Sequence, residues 1–591
     1  MYTLGINAAF RDSAACLVQD GRIVAAVEEE RLSRIRHAKR STAFSTHELP
    51  FAAIDYCLRQ AGLRLGQVDH VAYSFDPYLL PELEGRSPGV TIRRGTDGRP
   101  GAERKGAPCA SLFAASIMNA PRHLKSGAPH DLRERFSCDT GGFEWHFVEH
   151  HLAHAASAYF GAAFDRSAVI TMDGRAERAA TSYWIAEGSS LRRLGEVRMP
   201  HSLGLLYEKI TAHLGFRPAD DEYRVIVMAP YGKPRFVEFF RDAIKLYGEG
   251  RYEVRLPNLA RHLAPARRRD EPLEEVHFDI AHSLQRALEE RVLTLCGWLH
   301  EKSGCDTLCM AGDVALNCVL NRALREHSPF KRIWVQPAAH DAGTALGAAM
   351  WVDANARRAS RAQGIRHVYF GPSFSADVIE KVLAEAKVSY RRMENVAETA
   401  DLLMRDKIIG WFQGAAEFGP HALGARSIFA SAAGETMQAR FNALKGREAF
   451  RPAAAAVMEE DAPEWFENAV PSPFMLFTFR ARPERAQFIP AALHADLTAR
   501  VQTVNSAQNP LLYELLAAFK RRSGVPLLIH TSFNVRSQPI VCSPHEALEA
   551  FFSCALDALL IGPFLLQKSA RASSMHGASQ RSDAGVVPLL G

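Results

Sequence analysis

The chain has 591 residues, 47% hydrophobic and 23% charged, and Lys+Arg 71 against Asp+Glu 66 leave a formal net charge of +5. That length predicts roughly two to four domains rather than one core, and so small a basic surplus excludes a general nucleic-acid binder. The opening MYTLGINAAF lacks the basic and long apolar regions of a secretory signal, no apolar run is long enough for a membrane span, and the cysteines (Cys 10) form no zinc-type pair of pairs, so the expectation is a reducing, cytoplasmic setting.

In chain order, TLGIN, SAACLVQ and RIVAAVEEE read as strands, the last two joined by the turn at Asp20-Gly21. FAAIDYCLRQAGLR (51–64) has helical apolar spacing. Residues 85–108, rich in Gly, Pro and Arg, read as an exposed, mobile loop. SAVITMDG (167–174) reads as a buried strand ending in a turn, and 278–302 as an amphipathic helix with Ile280, Leu284, Leu288 and Val292 on one stripe. CDTLC places Cys305 and Cys309 on a strand as buried free thiols. The alternation of strands and helices through residue 355 is that of an α/β unit. A polar, arginine-rich linker (354–375) leads into a second α/β segment that runs to about 567, followed by a small, polar tail expected to be disordered.

The stretch VEHHLAHAASAYF (148–160) carries the first candidate chemistry. If it is helical, His150 and His154 stand at i and i+4 on one face, about 6 Å apart at Cβ, a reach that suits two ligands of one cation. His151 points about 100° away. The same spacing also suits a solvated pair, and without the glutamate of an HExxH motif it does not read as a metalloprotease. Asp173, at the end of a strand, and Asp341, before a glycine turn and a small-residue helix, sit where α/β sheets bind ligands. Together the two His and two Asp make a mixed N/O set suited to iron, manganese or zinc rather than calcium, with helix capping the alternative for either Asp.

The glycine turns of LGINAAFRDSAA, MDGRAERAA and MAGDVALN, with Gly312, Asn317 and, after Asp341, Gly343, suit a nucleotide whose phosphates approach backbone N–H groups. In the C-terminal segment Lys445, Arg447 and Arg451 fall in KGREAFRP, while Arg426, Arg500 and Arg536 lie in separate segments beside Ser, Thr and Asn, including Ser532 and Asn534. Cations beside hydroxyl and amide donors suit a phosphate or carboxy-phosphate; a surface ion pair is the alternative for each arginine taken singly.

Over about residues 1–567 the chain resembles the antibiotic and nodulation-type O-carbamoyltransferases, through VAAVEEERLSRIRH, HHLAHAASAYF, PHSLGLLYEKITAHLGF, YRVIVMAPYG, AGDVALN, GWFQGAAEFGPHALGARS, KGREAFRP, ARVQTV and TSFNVRSQPIVCSP. The resemblance implies an actin-like (ASKHA) duplicated α/β domain at 1–365, like the transferase that makes threonylcarbamoyl-adenosine in tRNA, a YrdC-like α/β domain at 366–567, and a tail at 568–591. It implies that the YrdC-like domain converts carbamoyl phosphate and ATP (with Mg) into carbamoyl-adenylate. The first domain would then pass the carbamoyl group to a hydroxyl of a small-molecule, secondary-metabolite acceptor. By the family pattern His150, His154, Asp173 and Asp341 match the metal ligands, iron being the usual assignment, and Lys445, Arg447, Arg451, Arg500 and Arg536 match the anion-binding set. No nucleic acid or membrane is expected as a partner, and the oligomeric state, a homodimer included, is left open.

Several positions depart from that pattern: Arg11 replaces a usual His, Asp313 a second Gly, Ala176 a Gly, and Ala415 and His421 stand where arginines are usual. Two fewer cations imply either a different acyl or carbamoyl donor or a different reaction on the same scaffold, such as transfer to an amine, or compensation by residues such as Arg175 and Arg178; a non-catalytic binding protein that keeps the scaffold and a metal is the third reading.

Overall fold

The computed structural model describes residues 1–38, 49–79, 128–136, 142–358, 364–448, 450–535 and 538–568; the loop read at 85–108, Arg536 and the tail after Lys568 lie outside the described residues. The chain divides into two compact units, Met1–Gly371 with Phe418–Pro420, and Pro372–Glu417 with the chain from His421 onward.

The N-terminal unit is built on one strand pattern used twice. Its first sheet has strands β1 (Tyr2–Asn7), β2 (Ala14–Gln19), β3 (Arg22–Glu28), β4 (His70–Tyr73) and β5 (Glu144–Phe147) in the order β3-β2-β1-β4-β5. Its second has β6 (Arg166–Met172), β7 (Ala179–Glu187), β8 (Ser190–Arg198), β11 (Thr307–Ala311) and β12 (Arg332–Val335) in the order β12-β11-β6-β7-β8, while β9 (Ile244–Gly248) and β10 (Arg251–Val254) form a separate hairpin. In each sheet an antiparallel meander is followed by two parallel strands: β1 pairs antiparallel with β2 and parallel with β4, and β6 antiparallel with β7 and parallel with β11. This duplication is the actin-like α/β architecture, and no short-period sequence repeat announces it.

The apolar periodicities carry over into packing. Ile280, Leu284, Leu288 and Val292 of the helix Glu275–Ser303 are at most 1% exposed, each burial contributing about 1.5–3 kcal/mol. Some boundaries move. Glu29 and Glu30 leave the third strand and open the short helix Glu29–Ser33, where acidic side chains favour the first turn. Cys305 precedes β11 rather than sharing it with Cys309; both are buried. The expected linker begins as helix, since Ala342–Arg357 runs to Arg357.

Each repeat ends in a helix, His150–Gly161 after β5 and Ala342–Arg357 after β12. The two helices meet backbone to backbone. A Cβ on Gly347 would lie 1.8 Å from the Ala153 carbonyl oxygen, and one on Gly5 would lie 1.9 Å from that of Ala345. Ala153 and Ser157 face Gly347, Ala348 packs in one cluster with Ala153, and Ala345 and Ala349 lie against Gly5 of β1; all are small and fully buried.

The C-terminal unit is a mixed α/β layer on nine strands: β13 (Arg391–Arg392), β14 (Ile409–Phe412), β15 (Arg426–Ser431), β16 (Ala454–Met458), β17 (Phe477–Arg480), β18 (Thr498–Val504), β19 (Leu527–Ser532), β20 (Ala558–Ile561) and β21 (Phe564–Gln567). Their order is β13-β21-β20-β14-β15-β19-β16-β18-β17, so β15 is central, with β19 beside it. No described helix is long and apolar enough to cross a membrane.

Gly347→Ala is expected to lower stability by about 1–3 kcal/mol through overpacking of the seam. Gly297→Ala, whose added methyl meets nothing within 4 Å, is expected to leave stability unchanged or raise it. Thermal unfolding of the two variants checks the difference; equal midpoints would contradict the close approach.

Candidate metal centre and anion site

The helix His150–Gly161 presents His150 and His154 to the carboxylates that follow β6 and precede the helix Ala342–Arg357. All four residues are buried. His150 Nε2 lies 3.0 Å from Asp173 Oδ2 and 3.3 Å from Asp341 Oδ1. His154 Nε2 lies 3.1 Å from His150 Nε2, 3.4 Å from Asp173 Oδ2 and 3.8 Å from Asp341 Oδ1. Ligands held about 2.0–2.2 Å from one ion stand roughly 2.8–3.6 Å from each other, so this donor set fits a divalent cation closely.

Charge leads to the same arrangement. Two carboxylates and two imidazole nitrogens converge at a point remote from water, and a buried set of this kind needs a cation or shared protons to hold it together. Without a cation, protons must stand in. Burial alone would depress the His150 imidazole, but hydrogen bonds and charge from Asp173 and Asp341 outweigh it and push it well above its ordinary value. Burial likewise would raise Asp173, yet contact with both histidines holds it well below the usual carboxylate range.

The surroundings orient these groups. His150 Nδ1 faces the Ser74 carbonyl at 3.4 Å, which leaves Nε2 for the cluster. Asp341 occupies the position before its helix but makes no side-chain cap; its Oδ2 accepts from the Arg11 backbone N–H at 2.9 Å. Asp173 Oδ1 accepts from the Asp313 N–H at 3.2 Å. His151 turns away to Thr171 Oγ1 at 2.6 Å, and burial holds it neutral, well below its ordinary value.

Several neighbours carry no signal in the sequence. Glu177 accepts the backbone N–H groups of His150 (3.0 Å) and Asp76 (2.7 Å), and burial lifts its carboxyl to about 7. His37 stands between Asp12 at 2.6 Å and Asp220 at 2.9 Å; burial would lower it, but the carboxylates raise it to about 9. Burial and the charges of Asp173 and Asp341 push the Asp313 carboxyl well above the usual range. Arg175 and Arg178 are engaged by carboxylates, the first by Glu208 at 2.7 and 2.8 Å, the second by Glu196 at 3.6 Å.

Of the turn residues, Gly312 has φ 92° and no room for a side chain, since its Cβ would lie 2.2 Å from the Met172 carbonyl oxygen. Gly343 is similarly closed by the Ala338 carbonyl at 2.0 Å. Asn317 caps the helix Cys318–His327 by accepting from Leu320 N at 3.0 Å and donates to Gln285 Oε1 at 2.8 Å.

In the C-terminal unit Lys445 ends the helix Glu435–Lys445 and turns its amine onto the end of β19. Nζ donates to the carbonyls of Ser532 (2.8 Å) and Asn534 (2.9 Å) and to Asn534 Oδ1 (2.5 Å), and Ser532 Oγ donates to that same oxygen at 2.8 Å. Enclosure of the amine, then repulsion from Arg447 and Arg451, brings Lys445 down to about 7. Arg447 is oriented by Asn442 Oδ1 at 2.5 Å, and the Asn442 amide in turn holds the Arg451 carbonyl at 2.8 Å. Arg500 lies on β18, paired in register with Thr478 of β17. Arg426 does not join them. It is fully buried, its guanidinium 3.7 Å over the Phe412 ring and donating to the carbonyls of Gln413 (2.8 Å), Pro372 (2.9 Å) and Gly414 (3.1 Å), so it fixes a loop instead.

A bound anion favours the charged amine of Lys445 and raises its pKa above about 7. Between the two values, binding therefore takes up a proton; below both or above both it does not. At about pH 8 the binding of a phosphate anion such as pyrophosphate is expected to take up as much as ~1 proton per site, read as heats that change with the buffer's ionisation enthalpy. Heats independent of buffer would contradict this.

The family model described as Carbamoyltransferase N-terminus matches residues 2–84 and 139–350, and that described as Carbamoyltransferase C-terminus matches 400–568. The chain is 36% identical to the protein sll1178 of Synechocystis, over 96% of this chain and 97% of that one. It is 36% identical to the nodulation protein NolNO of Sinorhizobium fredii, over 95% of this chain and 80% of that one. It is 38% identical to the nodulation protein NolO of Bradyrhizobium diazoefficiens, over 71% and 79% respectively. With both parts of the family matched in order around the geometry just described, the chain belongs to the carbamoyltransferase family and is a carbamoyl-group transferase.

Proposed function

We propose that the enzyme is an ATP-dependent O-carbamoyltransferase that draws on carbamoyl phosphate and delivers to a hydroxyl of a small, secondary-metabolite acceptor. Water cleaves the P–O bond of carbamoyl phosphate to give carbamate and phosphate, and a carbamate oxygen then attacks the α-phosphorus of ATP and expels pyrophosphate. The acceptor hydroxyl then attacks the carbamoyl carbon of the adenylate, a C–O bond forms as AMP leaves, and the hydroxyl proton passes to a base. Adenylation gives the carbamoyl carbon a better leaving group.

The chain's own residues divide this work. Lys445, Arg447, Arg451 and Arg500, beside Ser532 and Asn534, would bind the phosphate charges in the C-terminal unit. His150, His154, Asp173 and Asp341 would hold a divalent cation, iron by family pattern, with manganese and zinc compatible with the donors. That cation would polarise a carbonyl or stabilise a leaving phosphate. Arg11 and Asp313, through their backbone N–H groups, fix the two carboxylates. The observation that carries the reading is the buried cluster of two imidazoles and two carboxylates, whose ligand atoms converge at the spacing of donors around one ion.

A second reading, in which another carboxy or carbamoyl compound replaces carbamoyl phosphate, is favoured by Ala415 and His421 at arginine positions of the family and by the engagement of Arg175 and Arg178 with carboxylates.

Pyrophosphate release from ATP separates the two. Release that requires carbamoyl phosphate, and that falls roughly 100-fold or more in Lys445→Met, is the expected result. ATP cleavage indifferent to carbamoyl phosphate would sink the first reading and leave the second.

A further inference from the structure

Outside the central cluster, the edge of the first sheet brings together His70, Glu144 and His146. His70 on β4 lies opposite Glu144 on β5, and Ala72 opposite His146. Residues two apart on a strand share a face, so all three side chains emerge on the side where Ala72 and Val148 pack against Ala348 and Val352. They stand at the rim of that packing. The His70 and His146 side chains are only 16% and 26% exposed, while Glu144 reaches into solvent.

His70 Nδ1 lies 3.0 Å from His146 Nε2, and Glu144 Oε2 lies 3.6 Å from the first and 3.8 Å from the second. Two imidazole nitrogens and one carboxylate oxygen thus form a triangle with edges close to those of ligands about 2.0–2.2 Å from a shared ion. Burial, with the adjacent His70, lowers the His146 imidazole and favours its neutral, ligating form. An exposed carboxylate beside a histidine contributes about 0–1 kcal/mol as an ion pair, and the two imidazoles share one N–H···N hydrogen bond whose nitrogens an ion would bridge instead. The hydrogen-bonded strands set the three Cβ positions in advance, so binding needs little more than rotamer adjustment.

We propose that His70, Glu144 and His146 form a second divalent-cation site, of the zinc, cobalt or nickel class, that clips the edge strand β5 to β4. Imidazole and carboxylate donors select that class over magnesium or calcium, and the solvent side leaves positions for water. The site shares no residue with His150, His154, Asp173 and Asp341 and stands whether or not that cluster holds a metal.

The test is zinc titration by calorimetry of the full chain after chelator treatment, comparing wild type with His146→Ala, His70→Gln, Glu144→Gln and His154→Ala. A saturable zinc event present in wild type and in His154→Ala, absent from His146→Ala and His70→Gln, and weakened about tenfold or more in Glu144→Gln is the expected result. Hydrogen exchange of Glu144–Phe147 should slow with zinc in wild type and not in His146→Ala. An unchanged event in folded His146→Ala and His70→Gln, or no wild-type event tighter than about 100 µM apart from one removed by His154→Ala, overturns the proposal.

Discussion

The backbone of the helix Ala342–Arg357 touches the backbone of the helix His150–Gly161, and the metal cluster depends on that contact. Gly347 has no space for even a methyl group against Ala153, and small residues line the whole seam. Those helices close equivalent repeats of a duplicated fold. Their approach sets Asp341, at the start of one helix, against His150 and His154 on the other. Larger side chains in the seam would part the helices and open the distances that a cation requires. The fold's symmetry therefore becomes chemistry at one point, where the strand end of the second repeat adds Asp173.

Burying this much charge is costly, and the structure offsets the cost in two ways. Backbone donors fix each carboxylate: Arg11 N–H for Asp341 and Asp313 N–H for Asp173. Side-chain charge around them is held down or matched, with Asp313 and Glu177 pushed toward their neutral forms and His37 enclosed between Asp12 and Asp220. The C-terminal unit works in the opposite sense. There Lys445, crowded by Arg447 and Arg451, has its amine at about 7, and an incoming anion would restore its charge.

Much of this was legible in the sequence where it rested on periodicity. The 3.6-residue pattern placed Ile280, Leu284, Leu288 and Val292 in the core, and the i, i+4 spacing singled out His150 and His154 from His151. Conserved-looking motifs also led to the two family segments. What stayed hidden depends on contacts distant in the chain. Glu177, Asp12 and Asp220 join the site only through tertiary folding, and no local pattern marks them. Arg426 and Asn317 show the reverse case. Their residue types suited ligand contacts, but a buried guanidinium needs carbonyls and a helix start needs a cap, and those local demands took both side chains. The duplication was equally invisible, because two repeats can share strand order and pairing direction without sharing side chains.

An anomalous difference map from crystals of the full chain, recorded at the absorption edge of the metal it carries, tests the central claim most directly. The account predicts one peak about 2.0–2.2 Å from His150 Nε2, His154 Nε2 and a carboxylate oxygen of each of Asp173 and Asp341. No peak there, with the four side chains ordered and hydrogen-bonded to one another or to water, would contradict it.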